Sequence, residues 1–569
     1  MGCESLNIAV GGEAGQGLVT IGQMFAKTVT RAGYELHVTQ DYLSRVRGGH
    51  NSYVVRTGVE PLTGPKDDVD ILIALGKQTY DIFSGKLADE AVVIIDEAEA
   101  APIIEALGNE GCLAVPFKEL ASKPMFYNTA ALGILAQLTG VDISLLEQLL
   151  EETFGKKGEE VVQKNLDILR GAALWMSKQH CSDKTLAKAE ERDVQRLMIQ
   201  SNEAVAMGAI ASGCNFCSFY PMTPSTSIAL NLIAKGKSVG LVAEQAEDEI
   251  AAVNMALGAS FAGGRVLVPT SGGGFALMVE GVSLAGILEM PIVFALAQRP
   301  GPATGLPTRT EQGDLNLAVY AGHGDFPRAV FAPSNPEEAF YLTRLSFELA
   351  EAFQTPMFVL TDQYLADSYR AVDMFDLEGE PIELLLEPEE GAEYKRYTFT
   401  DDGISPRAIP GYSKALVKVD SDEHDESGHI DESSENRLAM VEKRQAKTDI
   451  LKEEFIPPAF YGEEDGPDLL LVTWGSSCGP ALEAMAKLKK QDYDVAVLNF
   501  MQVYPLNEEA FLDILEAAGR VVMVEGNISG QFARLLRQET GFQVDDVIRR
   551  FDGFPFTAEY ILEAVYDIL

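Results

Sequence analysis

Glu249 opens the stretch Glu249-Ile250-Ala251-Ala252-Val253-Asn254-Met255-Ala256-Leu257-Gly258-Ala259, which reads as a helix starting on an acid and continuing through small residues. Small side chains let neighbouring elements approach that carboxyl closely, which argues for its burial at an interface. Glu244 and Glu247 compete for the same part, and a plain first-turn acid stabilising the helix dipole is the simple alternative. Downstream, Thr270-Ser271-Gly272-Gly273-Gly274-Phe275 follows an apolar strand at 266–268. Upstream, Tyr220-Pro221-Met222-Thr223-Pro224-Ser225-Thr226 sets hydroxyls beside prolines that fix the backbone, an arrangement that also serves as a helix cap.

A second group of residues suits anions. Gly11-Gly12-Glu13-Ala14-Gly15-Gln16-Gly17 lies between an apolar run at 6–10 and a helical pattern at 18–32, where backbone amides can approach an anion at a helix N-terminus. The spacing is GGxxGxG rather than GxGxxG. Glu35, after a possible second strand, keeps a dinucleotide site conceivable, and a tight turn without a ligand reads equally well. Arg45-Val46-Arg47-Gly48-Gly49-His50 concentrates two arginines near glycines, as either a local anion site or a surface loop. Cys214 and Cys217 form a CxxC, but no clustered set of further ligands follows, so they read as small buried residues and no metal ligand is assigned.

The elements that must position these residues follow from length and pattern. A chain of 569 residues should hold about three or four domains. Its net charge of −41 should repel phosphate backbones and anionic lipid, so nucleic-acid and membrane-surface roles are not expected. Six cysteines make no disulfide scaffold, the acidic start lacks a signal-peptide pattern, and a cytoplasmic protein is the default expectation. Short strands near 71–75 and 92–95 alternate with helices, which argues for a parallel α/β layer ending near residue 182. A polar stretch at 183–192 leads into a second α/β segment at about 195–370. Acid-rich blocks at 378–393 and 420–436 suggest a solvated, loosely ordered connection over 371–465. Residues 466–569 recover α/β order, with strands near 469–473, 495–500 and 521–525 in an open doubly wound sheet.

An acid ahead of an Ala-rich, Gly-terminated helix, then a strand and a TSG turn, resembles the pyrimidine-binding half of a thiamine-diphosphate enzyme. Together with Arg299-Pro300-Gly301-Pro302-Ala303-Thr304-Gly305-Leu306-Pro307-Thr308-Arg309, Glu311-Gln312-Gly313-Asp314 and Gly322-His323-Gly324, it resembles the α subunit of 2-oxoacid:ferredoxin oxidoreductases, closest to the 2-oxoglutarate branch. The glycine turn with Arg47-Gly48-Gly49 resembles that family's γ domain, fused here at the N-terminus. The run Asp420-Ser421-Asp422-Glu423-His424-Asp425-Glu426-Ser427-Gly428-His429-Ile430 also resembles a stretch of these α subunits. The resemblance implies a γ domain, a pyrimidine-type domain and a C-terminal domain like that of transketolase.

It also implies roles. Glu249 would bond the coenzyme's aminopyrimidine ring nitrogen and promote the imino form that activates it, sharing a proton because burial raises a carboxyl pKa. Ser271 and Gly272 would line the cofactor. Thr223 and Tyr220 would contact the substrate, Arg299 would pair with the 2-oxoacid carboxylate, and Arg309 would serve as an alternative anchor for a distal carboxylate. Gly12, Gly15, Gly17, Arg45 and Arg47 would meet CoA. His323 and Asp314 are expected to be structural. The Asp-Gly pairs at 402, 465 and 552 lack the surroundings of the family's metal and diphosphate motif, so a β subunit should hold thiamine diphosphate with Mg²⁺ and a [4Fe–4S] cluster. Ferredoxin should dock mainly on β, in an (αβ)₂ heterotetramer. A dehydrogenase using NAD at the glycine turn leaves the 220–314 constellation unexplained, and a silent scaffold leaves Glu249, Thr223 and Arg299 without a purpose.

Overall fold

The computed structural model describes residues 2–13, 16–42, 49–121, 123–190, 195–377, 382, 384, 386, 394–463 and 466–569. They divide into two compact units. One comprises Met1–Ile199 with Asp367–Met374 and Thr557–Glu559, and the other Gln200–Ala366, Phe375–Phe556 and Tyr560–Leu569. No described helix is long and apolar enough to cross a membrane.

The first unit is built on an eight-stranded sheet. Its parallel half runs Cys112–Val115, Leu87–Asp96, Val69–Ala74 and Ser5–Glu13 in spatial order. Both faces of these strands are covered, which is why they read as unbroken apolar runs. Ile8, Val10, Ile71, Ile73, Val92 and Ile94 enter one core, while Ala9, Leu72, Val93 and Ile95 enter a second, as the two-residue period of a strand requires. Helix Leu18–Arg31 lies on the first face. It comes so close at Gly22 that a Cβ there would fall 2.0 Å from the Tyr53 ring.

The other half of the sheet differs from the parallel layer expected. His50–Gly58 pairs antiparallel with both Ser5–Glu13 and Glu35–Asp41. Only eight residues separate Glu35–Asp41 from His50–Gly58, too few for the crossover a parallel pair needs. Tyr369–Asp373, arriving from far along the chain, pairs with Glu35–Asp41. Glu35 meets Arg196 in a two-bonded fork at 3.1 and 3.0 Å, so the acid that kept a dinucleotide site conceivable is taken up by an ion pair.

The second unit contains two sheets. Its seven-stranded sheet has the order Gln502–Tyr504, Ala329–Phe331, Pro356–Asp362, Ile292–Gln298, Val266–Thr270, Phe216–Phe219 and Val242–Gln245. The pairs within it are parallel except at the first strand, which is lent from the C-terminal part of the chain. The five-stranded sheet runs Ala459–Tyr461, Val495–Phe500, Leu469–Trp474, Val521–Glu525 and Asp546–Arg549. One continuous apolar core joins the two sheets, from Phe275, Phe294 and Phe358 to Trp474, Phe500 and Phe532.

The expectation of a loose connection fails for residues 420–436. Glu423 accepts two hydrogen bonds from Arg444, at 3.0 and 2.7 Å, and another from Arg437. His424 is buried against the Tyr397 ring. Helix Ser434–Glu453 follows, and it carries Lys443 and Lys447 onto the carboxylate of Glu289 at 2.8 and 2.5 Å, with all three side chains 1% exposed. Burial alone would raise the Glu289 carboxyl, but Lys447, Lys443 and Arg396 hold it well below the usual range, while burial pulls Lys447 down to about 8. The acids read as a solvated run because the bases that meet them come from elsewhere in the fold. The other acidic block, 378–393, lies almost wholly outside the described residues.

Candidate functional site

Glu249 is the first residue of helix Glu249–Phe261, and Asp248 caps that helix by accepting the Ala251 N–H at 2.7 Å. With the cap duty met by its neighbour, Glu249 turns inward. It is 3% exposed, and its Oε1 has no hydrogen-bond partner. Glu244 and Glu247 are exposed, so burial selects Glu249 from the three candidates. Two glycines of helix Gly272–Ile287 make room. A Cβ at Gly281 would meet Val253 at 2.7 Å, so the two helices touch there. A Cβ at Gly274 would fall 2.5 Å from Thr270 Oγ1 and 2.7 Å from Glu249 Oε1, so only glycine leaves the carboxyl where it lies.

The turn at 270–274 is where the other predicted residues converge. Ser271 Oγ is buried without a partner. The site of a Gly273 Cβ lies 3.5 Å from the Ala303 carbonyl and 3.9 Å from Met222 Sδ, which brings the loop after Arg299 and the loop after Tyr220 to the same turn. Arg299 follows the buried strand Ile292–Gln298 and donates from Nη1 to the Thr223 carbonyl at 2.7 Å, while its Nε is buried and unpartnered. Burial lowers the pKa of this guanidinium, against the opposing pull of Asp314. Tyr220 is partly exposed at the edge of the loop. Arg309 has its guanidinium over the Phe554 ring at 5.0 Å and its backbone N–H donating to the Leu306 carbonyl. His323 is exposed, and its carbonyl accepts from Ser283 Oγ.

Two functional-looking residues were not singled out by type alone. Gln298 ends an otherwise apolar strand; its Oε1 accepts the Asp314 N–H and its Nε2 donates to the Thr361 carbonyl. A lone amide closing a buried strand was the available signal. Gln312 is a junction with the C-terminal sheet: Nε2 donates to the Trp474 carbonyl at 2.8 Å and Oε1 accepts the Gly526 N–H at 2.7 Å. Its own N–H donates to the Gly526 carbonyl, and Asn527 donates to the Gln312 carbonyl. Gln531 donates to the Gly313 carbonyl. The turn 311–314 therefore takes its shape from the C-terminal domain.

The glycine turn lies in the other unit. Gly17, at φ 83°, precedes helix Leu18–Arg31, and Gln16 Oε1 accepts the Glu13 N–H. A Cβ at Gly12 would strike that Gln16 oxygen at 2.4 Å, and one at Gly17 would strike Asn128 at 2.0 Å. The turn borders a cavity of about 620 Å³ at the C-terminal ends of the parallel strands, where Gln16, Leu75, Asp96, Phe117, Tyr127 and Asn128 are among the lining residues. Gly15, Arg45 and Arg47 lie outside the described residues. Cys214 and Cys217 are buried, and burial pushes the Cys214 thiol up to about 12. Among the described residues no group of three or more His, Cys, Asp or Glu is placed to hold a metal ion.

Residues 7–175 match the pyruvate ferredoxin/flavodoxin oxidoreductase family, residues 207–443 the thiamine diP-binding family of pyruvate flavodoxin/ferredoxin oxidoreductases, and residues 462–568 the transketolase C-terminal domain. Fold and site together define an oxidoreductase chain with a thiamine-diphosphate-type α/β domain. The chain is 31% identical to the 2-oxoacid:ferredoxin oxidoreductase subunit alpha of a Sulfolobus species over 634 aligned residues, covering 99% of this chain and 97% of that one. It is 33% identical to the 2-oxoglutarate synthase subunit KorA of Methanocaldococcus jannaschii over 333 residues, 58% of this chain and 88% of that one. A structure of the 2-oxoglutarate:ferredoxin oxidoreductase of Magnetococcus marinus, with 2-oxoglutarate, coenzyme A and succinyl-CoA bound, superposes with a TM-score of 0.93 at 31% identity over 99% of both chains. The chain belongs to the α subunits of the 2-oxoacid:ferredoxin oxidoreductase family.

Proposed function

We propose that this chain is the α subunit, with a fused γ-type domain, of a CoA-dependent enzyme that converts 2-oxoglutarate, CoA and oxidised ferredoxin to succinyl-CoA, CO₂ and reduced ferredoxin, reversibly and in the cytoplasm. The observation that carries the reading is the buried Glu249 Oε1 without a partner, beside a glycine that cannot bear a Cβ. A carboxyl oxygen taken out of water and left unbonded is costly unless a ligand completes it. Ser271 Oγ and Arg299 Nε are in the same condition around one turn, so the residues fit an aminopyrimidine and a 2-oxoacid.

When bound, thiamine diphosphate supplies the carbon nucleophile that attacks the substrate's oxo carbon. Glu249 holds a proton between its Oε1 and the pyrimidine ring. Ser271 and Gly272 border the ring, and Thr223 and Tyr220 orient the substrate. Arg299, steadied by the Thr223 carbonyl, grips the 1-carboxylate through its two-pronged face. That charge vanishes with CO₂, so the grip serves orientation and does not need to be tight. Arg309 is the nearest further cation along the same loop for a distal carboxylate.

A β subunit completes the site with the diphosphate, Mg²⁺ and a [4Fe–4S] cluster, and it carries most of the ferredoxin contact in an (αβ)₂ heterotetramer. The two helices that flank Glu249 support this, since they expose Ile250 at 51% and Leu277 at 53% on the same unit. CoA is assigned to the cavity that Gln16 of the glycine turn lines, with Gly12, Gly15, Gly17, Arg45 and Arg47 as its candidate phosphate contacts. Several full-length relatives bear the broader name 2-oxoacid:ferredoxin oxidoreductase, so pyruvate and other 2-oxoacids form the second reading.

The test is CoA-dependent dye reduction by the chain co-expressed with its β subunit, across 2-oxoglutarate, pyruvate and 2-oxobutyrate. 2-Oxoglutarate should give the highest kcat/KM, and Glu249→Gln should lose roughly 10²–10⁴-fold in kcat. Full turnover by that variant, or complete coenzyme with magnesium held by the chain alone, would sink the proposal.

A further inference from the structure

Asp314 occupies the N-cap position of helix Leu315–Val319, yet its side chain makes no capping hydrogen bond. Aspartate at that position normally accepts an N–H of the first turn. Here the carboxyl is turned away. Its oxygens lie 2.3 and 2.4 Å from where a Gly272 Cβ would sit, and Oδ2 is buried without a partner. Its backbone is held by Gln298, and the residue before it by Gln531, both neutral. Two charged groups act on it: Arg299 from the end of the neighbouring strand, and Glu311 from its own turn. Helix Gly272–Ile287, whose N-terminus it faces, carries no charged side chain before Glu280.

We infer that Asp314 is a positioning residue for the carboxylate anchor: as an anion it competes with the substrate for Arg299, and it must carry a proton when the 2-oxoacid is bound. The inference rests on the proposed 2-oxoacid site. One guanidinium already bonded to a carbonyl cannot neutralise two buried carboxylates, so the arriving acid drives a proton onto Asp314. The carboxyl is poised for this, because burial and Glu311 push Asp314 up to about 6, with Arg299 pulling the other way. Around neutral pH Asp314 is therefore mostly ionised before substrate binds, and binding takes up a proton. The same carboxyl hinders binding as pH rises through its own pKa.

The αβ holoenzyme is titrated calorimetrically with N-oxalylglycine, a non-reacting analogue of 2-oxoglutarate, in two buffers of different ionisation heat, while KM for 2-oxoglutarate is followed against pH. Wild type should take up close to one proton per site at pH 7, and its KM should rise up to about tenfold per pH unit above 6. Asp314→Asn, nearly isosteric, should bind without proton uptake, with KM flat over that range. Glu311→Gln, which leaves the carboxyl in place, should move the wild-type profile to lower pH. Proton uptake or a KM slope unchanged in Asp314→Asn would overturn the inference, as would a uniform loss of binding at every pH. Failure of the wild-type enzyme to bind the analogue or oxidise 2-oxoglutarate would instead refute the functional reading beneath it.

Discussion

Replacing Gly274 with alanine perturbs the proposed catalytic carboxyl without touching it chemically. The added Cβ would lie 2.7 Å from Glu249 Oε1 and 2.5 Å from Thr270 Oγ1, whereas ordinary contacts begin near 3.4 Å. Relief requires the carboxyl to retreat by about 0.7 Å, because the other side of the new methyl is closed by Thr270. A shift approaching 1 Å in a positioned reacting group costs up to about 10²-fold in rate. Gly274→Ala should therefore lower kcat by roughly 10–100-fold in the αβ enzyme. Stability should fall by no more than about 2.5 kcal/mol, since crowding costs about 1–3 kcal/mol and alanine in a helix returns roughly 0.5–1 kcal/mol. The comparison is Gly273→Ala, whose new Cβ meets nothing nearer than 3.5 Å and should leave kcat near wild type. Steady-state dye reduction and a thermal melt decide the matter. A Gly274→Ala enzyme within twofold of wild type, or a Gly273→Ala enzyme equally damaged, refutes the placement of Glu249 at the chemistry.

Glu289→Gln leaves Lys443 and Lys447 buried without their anion and should cost about 3–5 kcal/mol at pH 7 by urea denaturation. Both lysines then fold with pKa values below their unfolded ones; the unfolded chain binds more protons, so stability rises with pH and the deficit shrinks towards pH 10. A deficit independent of pH counts against the pairing. Gln312→Ala removes two side-chain hydrogen bonds and strands the buried Gly526 N–H, while the Trp474 carbonyl keeps its bond from Ser477 Oγ, for roughly 1–3 kcal/mol. It should also flatten the rise of KM with pH, because the turn bearing Asp314 loses its template; an unchanged pH profile of KM would detach that turn from substrate binding.

Much of the candidate site was readable because its chemistry leaves local marks. An acid before alanines and glycines, followed by a strand and a TSG turn, needs no distant partner to be recognised, and Glu249, Ser271, Gly272, Thr223 and Arg299 do converge on one turn. Arg309, whose role came with the resemblance, lies with its guanidinium over the Phe554 ring. Asp314 was expected to be structural; only the missing cap bond and the approach of Gly272 mark it as different. In the first unit the parallel half was legible from its apolar runs. The antiparallel half was not, because Tyr369–Asp373 returns to that sheet from well over 300 residues beyond its partner Glu35–Asp41.

Chain order alone determined which residues are small, charged or hydroxylated at each spacing, and hence the strand–turn–helix units and the three acids among which Glu249 stood. Tertiary structure decided which charges find partners. Glu289 became a buried anchor, and Glu423 a half-buried one, because helix Ser434–Glu453 brings Lys443, Lys447 and Arg444 to them, while an oxygen of Glu249 and one of Asp314 were left without partners at the site. The physical reason is that local pattern governs backbone conformation within a few residues, whereas the cost of burying a charge depends on whatever the rest of the fold places beside it.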